Sequence, residues 1–463
     1  MTPVAGGGSG CPGVSSRRIR ARGPGRRLPR RPGPLRARDR LRPSRLVGVA
    51  AAFLAPVIGC APNATPGELP AAPPSAVGMS AEGLERATAA IQERIDEGHI
   101  AGAVAAVMRD GQLVHAVALG YRDLETGAPM EFDALFRMYS MTRPVTSVGI
   151  LLLQKEGLLE LNDPLQRHLP AFADQPVLLD SASSDPSETR ARAGDITLAH
   201  LLTHTSGIGS RSSALYRMHE VHRWDRTLEE VVDAVAALPL FEDPGTRYRY
   251  GMHAEVLGRV IEVVSGLPLE AFLEERIFGP LAMDDAVFRV SPPRTGRLAT
   301  VHRRDEEGVL RPFEMEAIPV TGERTLVSGG VGLVASTTDF LRFAQFLLDG
   351  RSATGEQLLS AEGLRMVREN AVPDALLPLG PRGYWAGSGW SLGGLAVVLD
   401  PDAYGHAVNP GEFWWDGSAG TRFWIDPRQE LVMIVNAQVS PAGGGGFREA
   451  FRTAVDGALV ERR

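Results

Sequence analysis

The stretch that decides the fold reads FRMYSMTRPVTS over residues 136–147, and an apolar run continues it through Leu153, with a helix stop at Gly157. Length and apolar character predict a buried helix here. Ser140 precedes this helix, where the positive end of the helix dipole favours a developing alkoxide or oxyanion. Pro144 fits the first turn because no hydrogen bond there needs its missing N–H. Arg143 lies one turn after Ser140 on the same helix face.

Two serines are candidates for a nucleophile. Ser391 lies in GWSLG at 389–393, which matches the motif G-x-S-x-G. That motif works when a strand ends in a tight turn and a helix starts at once. A strand-like run at 395–399 follows instead, so we interpret the match as coincidence. Ser140 has its helix, although a serine in that place is by itself most often a plain N-cap.

The periodicity of the rest of the chain predicts strands at both ends with helices between them. A helix is expected over 81–98, and strand-like runs at 102–108 and 113–120 flank Asp110-Gly111, a strong hairpin signal. Strand character returns at 395–399, 421–425 and 431–436, before a helix over 447–460, whereas helical patterns dominate from 140 to 350. We therefore expect both ends to form one sheet around a helical insertion.

Further motifs follow in order along residues 79–460. They are LLTHTSG at 201–207, PGT at 244–246 leading to Tyr250, VLGRVIE at 256–262, PLAM at 280–283, GGVGL at 329–333, WDG at 415–417 and WIDP at 424–427. With residues 136–147, this set resembles the serine beta-lactamase and penicillin-binding protein superfamily, most closely its class C-related family VIII esterases. The resemblance implies a beta-lactamase/transpeptidase-like α/β (α+β) fold, an antiparallel sheet flanked by helices with an inserted, mostly helical subdomain.

The resemblance also implies a set of site residues. In the family, a serine and a lysine in S-x-x-K form the nucleophile pair, a tyrosine takes part in proton transfer, and a strand carrying K-T-G or W-x-G lines the site. Carried over, the catalytic residues are Ser140, Arg143 and Tyr250, and the substrate-binding residues are Trp415, Asp416, Gly417 and Ser418. The N–H of Ser418 would join that of Ser140 in an oxyanion hole.

This chain departs from the family pattern at all three elements. Met252 stands where Y-x-N has asparagine, and WDG replaces K-T-G, which argues against beta-lactams as the main substrate. Arg143 stands where the catalytic lysine is expected, and a guanidinium cannot accept the proton of a serine. The chain has a single lysine, Lys155, twelve residues beyond Arg143 or about 18 Å along a helix.

Two explanations follow for Arg143. Its fixed charge would lower the pKa of Tyr250, so that the phenol could act as the base. Alternatively, the site no longer turns over and binds ligands only. His253 is a further candidate base, whereas His204 is expected to be structural, with its imidazole bonded to backbone.

Three tryptophans, Trp390, Trp414 and Trp415, line an acyl pocket or pack in the core. No cluster of residues has metal-ligand spacing, so neither a metal nor another cofactor is expected. The favoured function is a serine hydrolase acting on small esters or amides through an acyl-serine. The alternatives are an impaired relative that binds peptide or cell-wall fragments, and a cell-wall peptidase or true beta-lactamase.

Charge separates the first residues from the rest of the chain. Residues 1–45 hold 13 arginines and one acid, whereas the remainder carries 36 basic and 54 acidic residues, a net of −18. A body this acidic repels phosphate backbones, so nucleic-acid binding is not expected.

An uncharged, mostly apolar run at 46–58 follows and ends at Val57-Ile58-Gly59-Cys60. It is too short to span a bilayer and is typical of a secretory signal. It resembles a bacterial lipoprotein signal, which implies an exported envelope protein with a lipid anchor on Cys60. We divide the chain into a leader with signal peptide (1–59), an Ala/Pro-rich tether (60–78) and one domain (79–463). The α/β part of that domain spans about 79–137 and 384–463, and its helical part about 138–383.

Overall fold

The computed structural model describes residues 69–315, 318–379, 384–405 and 408–463, all within the compact unit Ala61–Arg463. The leader, the signal peptide, the proposed lipid attachment at Cys60 and the tether as far as residue 68 lie outside the described residues. None of the helices in the described part of the chain has the length and apolar character that crossing a bilayer requires.

The strands of the described residues come mainly from the two ends of the unit. In chain order they are β1 (Gly102–Arg109), β2 (Gln112–Asp123), β3 (Ala128–Pro129), β4 (Leu135–Arg137), β5 (Val177–Leu178), β6 (Thr189–Arg190), β7 (His302–Arg304), β8 (Leu310–Pro312), β9 (Val334–Ser336), β10 (Ser388–Trp390), β11 (Ala396–Val398), β12 (Phe413–Asp416), β13 (Thr421–Asp426), β14 (Leu431–Ala437) and β15 (Val439–Ser440). The main sheet has the order β10-β11-β12-β13-β14-β1-β2-β3, and its neighbouring strands pair antiparallel. The prediction that both ends share one sheet is confirmed.

The hairpin predicted from Asp110-Gly111 is also present. Both turn residues have positive φ, 55° at Asp110 and 70° at Gly111. Arg109 pairs directly with Gln112, so Asp110 and Gly111 alone connect β1 to β2. A turn of this kind matches the right-handed twist of the strands that it joins.

Helices pack against the main sheet and against one another. They are α1 (Ala81–Asp96), α2 (Thr142–Lys155), α3 (Leu198–Leu202), α4 (Ala214–Met218), α5 (Leu228–Ala236), α6 (His253–Ser265), α7 (Leu269–Leu273), α8 (Gly279–Leu281), α9 (Thr337–Asp349), α10 (Ala361–Arg368), α11 (Pro401–Tyr404) and α12 (Phe447–Asp456). The terminal helices α1 and α12 pack together against β2 and β14, and α9 packs against β1, β13 and β14. Helix α2, which follows the deciding stretch, is buried from Thr142 to Leu153 and packs against α6, α7 and α10.

The region expected to be helical also contains short strands. Strands β5 and β6 pair with each other, β7 and β8 form a hairpin that β15 joins in parallel, and β4 pairs with β9. Two or three residues are too few for an alternating pattern to show in sequence. The β4–β9 pair matters most for function, because β4 leads directly into the turn that carries Ser140.

Candidate active site

The backbone around Ser140 is fixed from both sides. The N–H of Met138 donates to the carbonyl of Leu333 at 2.9 Å, and Tyr139 adopts a positive φ of 45°. A short 3₁₀ turn, Tyr139–Met141, then enters α2 without a break. The residue that caps α2 is Met141, and no side chain caps the helix. Ser140 is therefore not the plain N-cap that its local sequence allows, and its half-buried hydroxyl is not committed to the helix end.

Strand β12 lies beside this turn and holds it. The indole N–H of Trp415 donates to the backbone carbonyl of Ser140 at 2.9 Å. Gly417 approaches the carbonyl oxygen of Met138 so closely that a Cβ at this position would lie 2.5 Å from it. Ser418 follows in the turn between β12 and β13, where it is exposed. The structure thus brings the predicted strand residues against the predicted nucleophile.

Arg143 lies against Tyr250 within the same site. Its guanidinium carbon is 4.3 Å from the centroid of the phenol ring, and its Nη1 donates to the carbonyl of Gly251 at 2.8 Å. Only 7% of Arg143 is exposed, and its Nε has no hydrogen-bond partner among the residues that the structure describes. The ring of Tyr250 in turn lies 5.6 Å from the ring of Trp415, centroid to centroid. Serine, arginine, tyrosine and strand therefore meet in one place.

The ionisation of Tyr250 differs from the expectation drawn from Arg143. Burial raises the pKa of Tyr250 above its usual value, and the opposing charge of Arg143 does not reverse this. The Ser140 hydroxyl also lowers the pKa of the phenol, although the phenol oxygen makes no hydrogen bond of normal geometry. The expectation of a net lowered pKa is wrong, because desolvation of a buried phenolate outweighs the attraction of one cation.

The carboxylate of Asp416 is engaged within the protein. One oxygen accepts a hydrogen bond from the hydroxyl of Tyr384 at 2.7 Å, and the other accepts from Arg448 at 2.9 Å. Arg422 lies 4.0 Å from the same carboxylate. Asp416 therefore anchors β12 to α12 rather than presenting a free negative charge to a substrate.

The two candidate histidines form a buried pair. The Nδ1 atoms of His204 and His253 are 2.9 Å apart, so the partner of His204 is an imidazole and not the expected backbone group. Burial and the charge of Arg143 lower the pKa of His253 to about 3, and burial, His253 and Arg143 hold the pKa of His204 well below its usual value. His204 also lies beside Tyr250, with ring centroids 4.8 Å apart. Both imidazoles are neutral at physiological pH, and the pair has a structural role beside the phenol.

The aromatic residues divide into core and cleft. Trp390, Trp414 and Trp415 are all almost fully buried, and the indole N–H of Trp390 donates to the carbonyl of Leu202 at 3.0 Å, so all three belong to the core. Trp385, which sequence reasoning missed, is half-buried and stacks on Trp415 with ring centroids 5.7 Å apart. No local pattern marks Trp385, because its place depends on strands that lie far away in sequence.

Sequence reasoning also missed Glu255, in the first turn of α6. It is 1% exposed, and its Oε1 accepts a hydrogen bond from Ser328 at 2.9 Å. In the described part of the chain, its Oε2 has no hydrogen-bond partner. Burial raises the pKa of Glu255, but the charges of Arg143 and His222 and the hydrogen bond from Ser328 lower it further, so the net pKa lies below the usual value. The only sequence signal was an acid near a helix N terminus, which is common on exposed helices.

Two other expectations concern the rest of the described residues. Ser391 is fully buried with no partner for its hydroxyl, and the chain after it turns into β11 rather than a helix, so it cannot meet a substrate. No group of three or more potential metal ligands occurs within 69–315, 318–379, 384–405 and 408–463.

Comparison with known proteins identifies the family. The model of the family described as Beta-lactamase matches residues 87–456. The chain belongs to the beta-lactamase family. An uncharacterized protein of Mycobacterium tuberculosis is 34% identical over 77% of this chain and 90% of its own length. Esterase EstB of Burkholderia gladioli is 30% identical over 82% of this chain and 97% of its own.

Two solved structures share this fold. EstCE1, described as a hydrolase with promiscuous acyltransferase activity, superposes with a TM-score of 0.70 at 25% identity, covering 82% of this chain and 99% of its own. Simvastatin synthase from Aspergillus terreus reaches a TM-score of 0.69 at 25% identity, covering 81% of this chain and 98% of its own. The beta-lactamase/transpeptidase-like fold expected from the sequence is confirmed.

Proposed function

We propose that this member of the beta-lactamase family is a serine hydrolase that cleaves small esters or amides through an acyl intermediate on Ser140. One observation carries the proposal: the turn bearing Ser140 is held by the indole of Trp415 while the phenol of Tyr250 and the guanidinium of Arg143 lie together beside it. A serine that only capped the start of a helix would need none of these neighbours. The names of an esterase and of several acyltransferases among the relatives support the same chemistry.

In the proposed reaction, the oxygen of Ser140 attacks the substrate carbonyl while its proton passes to the phenolate of Tyr250. The N–H groups of Ser140 and Ser418 would stabilise the resulting oxyanion, and each such donor typically contributes about 2.7–4 kcal/mol. The phenol then returns the proton to the departing alkoxide or amine, leaving the acyl group on Ser140. Attack by water, with the same proton relay, releases the acid and restores the serine.

The acyl group can also leave to an alcohol. We include acyl transfer in the proposal because relatives are named methylbutanoyltransferases and because EstCE1 is described as having promiscuous acyltransferase activity. Half-buried Trp385, stacked on the buried ring of Trp415, supplies an aromatic surface on which an apolar acyl or alcohol group can pack. Adding short alcohols during hydrolysis of a p-nitrophenyl ester tests this directly: transfer predicts new esters at the expense of free acid, whereas strict hydrolysis gives only acid.

The test of the central proposal uses a fluorophosphonate probe and p-nitrophenyl esters. Wild-type protein should be labelled on the peptide that contains Ser140, and Ser140→Ala should lose the label and at least about 10³-fold in turnover. Ser391→Ala is the matched control, because it removes the buried serine of the competing motif. Labelling that persists in Ser140→Ala would refute the proposal. A folded wild-type protein with neither label nor turnover, but with affinity for cell-wall peptides, would establish the binding alternative instead.

We also propose that the protein is exported and carries a lipid on Cys60. The arginine-rich leader, the apolar run at 46–58 and the small residues before the cysteine support this. Metabolic labelling with an alkyne fatty acid should mark the wild-type protein and not Cys60→Ser. Equal labelling of the two proteins would overturn the assignment.

A further inference from the structure

Buried polar groups in proteins are almost always hydrogen-bonded, and each exception requires an explanation. Five such exceptions meet in this site among the described residues: the Nε of Arg143, the hydroxyls of Tyr248 and Tyr250, the Nε2 of His253 and the Oε2 of Glu255 have no hydrogen-bond partner of normal geometry. Glu255 is the one acid in this group, and the proposed reaction does not use it.

The position of Glu255 follows from the packing of three segments. Thr146, one turn after Arg143 in α2, donates to the carbonyl of Gly329 at 2.8 Å. The next residue, Gly330, lies against the carboxylate of Glu255, since a Cβ there would lie 2.5 Å from Oε1. The start of α2, the start of α6 and residues 328–330 therefore enclose the acid. A side chain on residue 330 would therefore have to displace this carboxylate.

Neither buried charge is neutralised by direct contact. Among the residues that the structure describes, neither Arg143 nor Glu255 forms an ion pair, although they are 7% and 1% exposed. Burying an uncompensated charge is costly, so each must be balanced at longer range. Arg143 contributes more than any other charge to keeping Glu255 ionised, ahead of His222 and Arg211.

The other charged and titratable groups around Tyr250 are already balanced or neutral. Those that face it are Arg143 from α2, His204 after α3, Asp416 from β12, and Tyr248, His253 and Glu255 from the segment around Tyr250 itself. Asp416 is paired with Arg448, and burial keeps both histidines neutral and Tyr248 protonated. The charges that act on the phenol without a direct ionic partner are thus those of Arg143 and Glu255.

We propose that Glu255 is a positioning residue, the buried counter-ion of Arg143, and that together the two charges set the proton affinity of Tyr250. An arginine at the position of the family's lysine places a permanent positive charge under the phenol. Glu255 offsets this charge, so that the phenolate, once formed, remains a strong enough base to take the proton of Ser140. This inference rests on the proposed function for its catalytic meaning, but the electrostatic coupling can be measured without turnover.

The experiment is an NMR titration of protein labelled with ¹³C at the tyrosine Cζ, with Tyr250→Phe assigning the signal. Glu255→Gln removes the charge and keeps the shape, so the pKa of Tyr250 should fall by about 1 unit. Ser328→Ala is the matched control: it removes the hydrogen bond to the same carboxylate but leaves the charge, and should shift that pKa by less than about 0.3 unit. An unchanged pKa in Glu255→Gln would overturn the inference.

Activity and stability separate this inference from the proposed function. If both hold, the rise of kcat/KM with pH, which follows formation of the phenolate, moves to lower pH in Glu255→Gln. The size of this move equals the shift of the Tyr250 pKa in the NMR titration. A shifted pKa of Tyr250 in a protein that shows no Ser140-dependent turnover supports the inference and refutes the proposed enzyme. Ser140-dependent turnover together with an unchanged pKa of Tyr250 in Glu255→Gln supports the enzyme and refutes the inference. Should either single variant fold poorly, the double variant Arg143→Met/Glu255→Gln should unfold at a higher denaturant concentration than either, since it leaves no unpaired charge. A double variant less stable than both single variants would contradict the pairing.

Discussion

Replacing Arg143 with lysine tests the chemistry of the site most directly. Arg143 is 7% exposed, lies 4.3 Å from the ring of Tyr250 and donates to Gly251 at 2.8 Å. A lysine is shorter but reaches the same region with a single ammonium group. The change therefore keeps the positive charge and adds the one property that arginine lacks, a nitrogen that can lose its proton.

The size of the effect follows from the fraction of neutral base. Arginine at pH 7 is deprotonated on the order of once in a million molecules. A buried lysine whose pKa is lowered by only one unit from about 10.4 is neutral in about 0.4% of molecules. The supply of base thus rises by roughly a thousandfold, and we expect kcat for p-nitrophenyl acetate to rise at least about 100-fold. Loss of the guanidinium–phenol contact should cost about 0.5–2 kcal/mol of stability.

The assay compares kcat and kcat/KM of wild type, Arg143→Lys and Arg143→Met between pH 7 and 10, with the denaturation midpoint of each. Arg143→Met is the matched control, because it removes arginine without supplying a base and should not gain activity. A folded Arg143→Lys protein that is no faster than wild type would refute the reasoning. It would mean that residue 143 does not supply a base even as lysine, and that arginine at this position does not limit the reaction.

Three further predictions concern the pH profile, the strand beside the nucleophile and a buried ion pair. Because burial raises the pKa of Tyr250, the part of kcat/KM that depends on the phenolate should increase about tenfold per pH unit and keep rising beyond pH 10. This part is obtained by subtracting the activity of Tyr250→Phe, and a plateau near neutral pH would exclude the phenolate as base. Gly417→Ala places a methyl carbon 2.5 Å from the carbonyl oxygen of Met138, so urea denaturation should show a loss of about 1–3 kcal/mol, and an unchanged midpoint would show that β12 can move away. Arg452→Met leaves the fully buried carboxylate of Glu412 without its partner and should lower the free energy of unfolding by about 3–5 kcal/mol. The double variant Arg452→Met/Glu412→Gln should recover most of this loss, and a single variant as stable as wild type would contradict the pairing.

Much of the fold could be predicted from the sequence because its signals are local. Asp110-Gly111 specifies the β1–β2 hairpin, since both residues tolerate the positive φ that the turn requires. The apolar run after Ser140 specifies a buried helix through its length and uniform hydrophobicity, which are also local signals. The pairing of β4 with β9 could not be predicted, because strands of three residues carry no periodic pattern and are stabilised by partners about 200 residues away.

The candidate site divides in a similar way. The order of motifs predicted which serine, tyrosine and strand to consider, and the structure places all three together. The sequence could not predict the ionisation of Tyr250, because burial of its ring outweighs the charge of Arg143. Nor could it predict that Asp416 is bound by Arg448, a residue of the last helix.

By itself, the sequence determined the family, the nucleophile candidate and the substitution of arginine for lysine, since these are properties of residue type and order. Only the tertiary structure decided how the charges of the site are balanced. Glu255 and Arg143 lie more than a hundred residues apart, and their interaction depends on burial and distance, which arise when α2, α6 and residues 328–330 pack together. Electrostatic energies in a protein depend on the dielectric surroundings as much as on the charges, and those surroundings exist only in the folded chain.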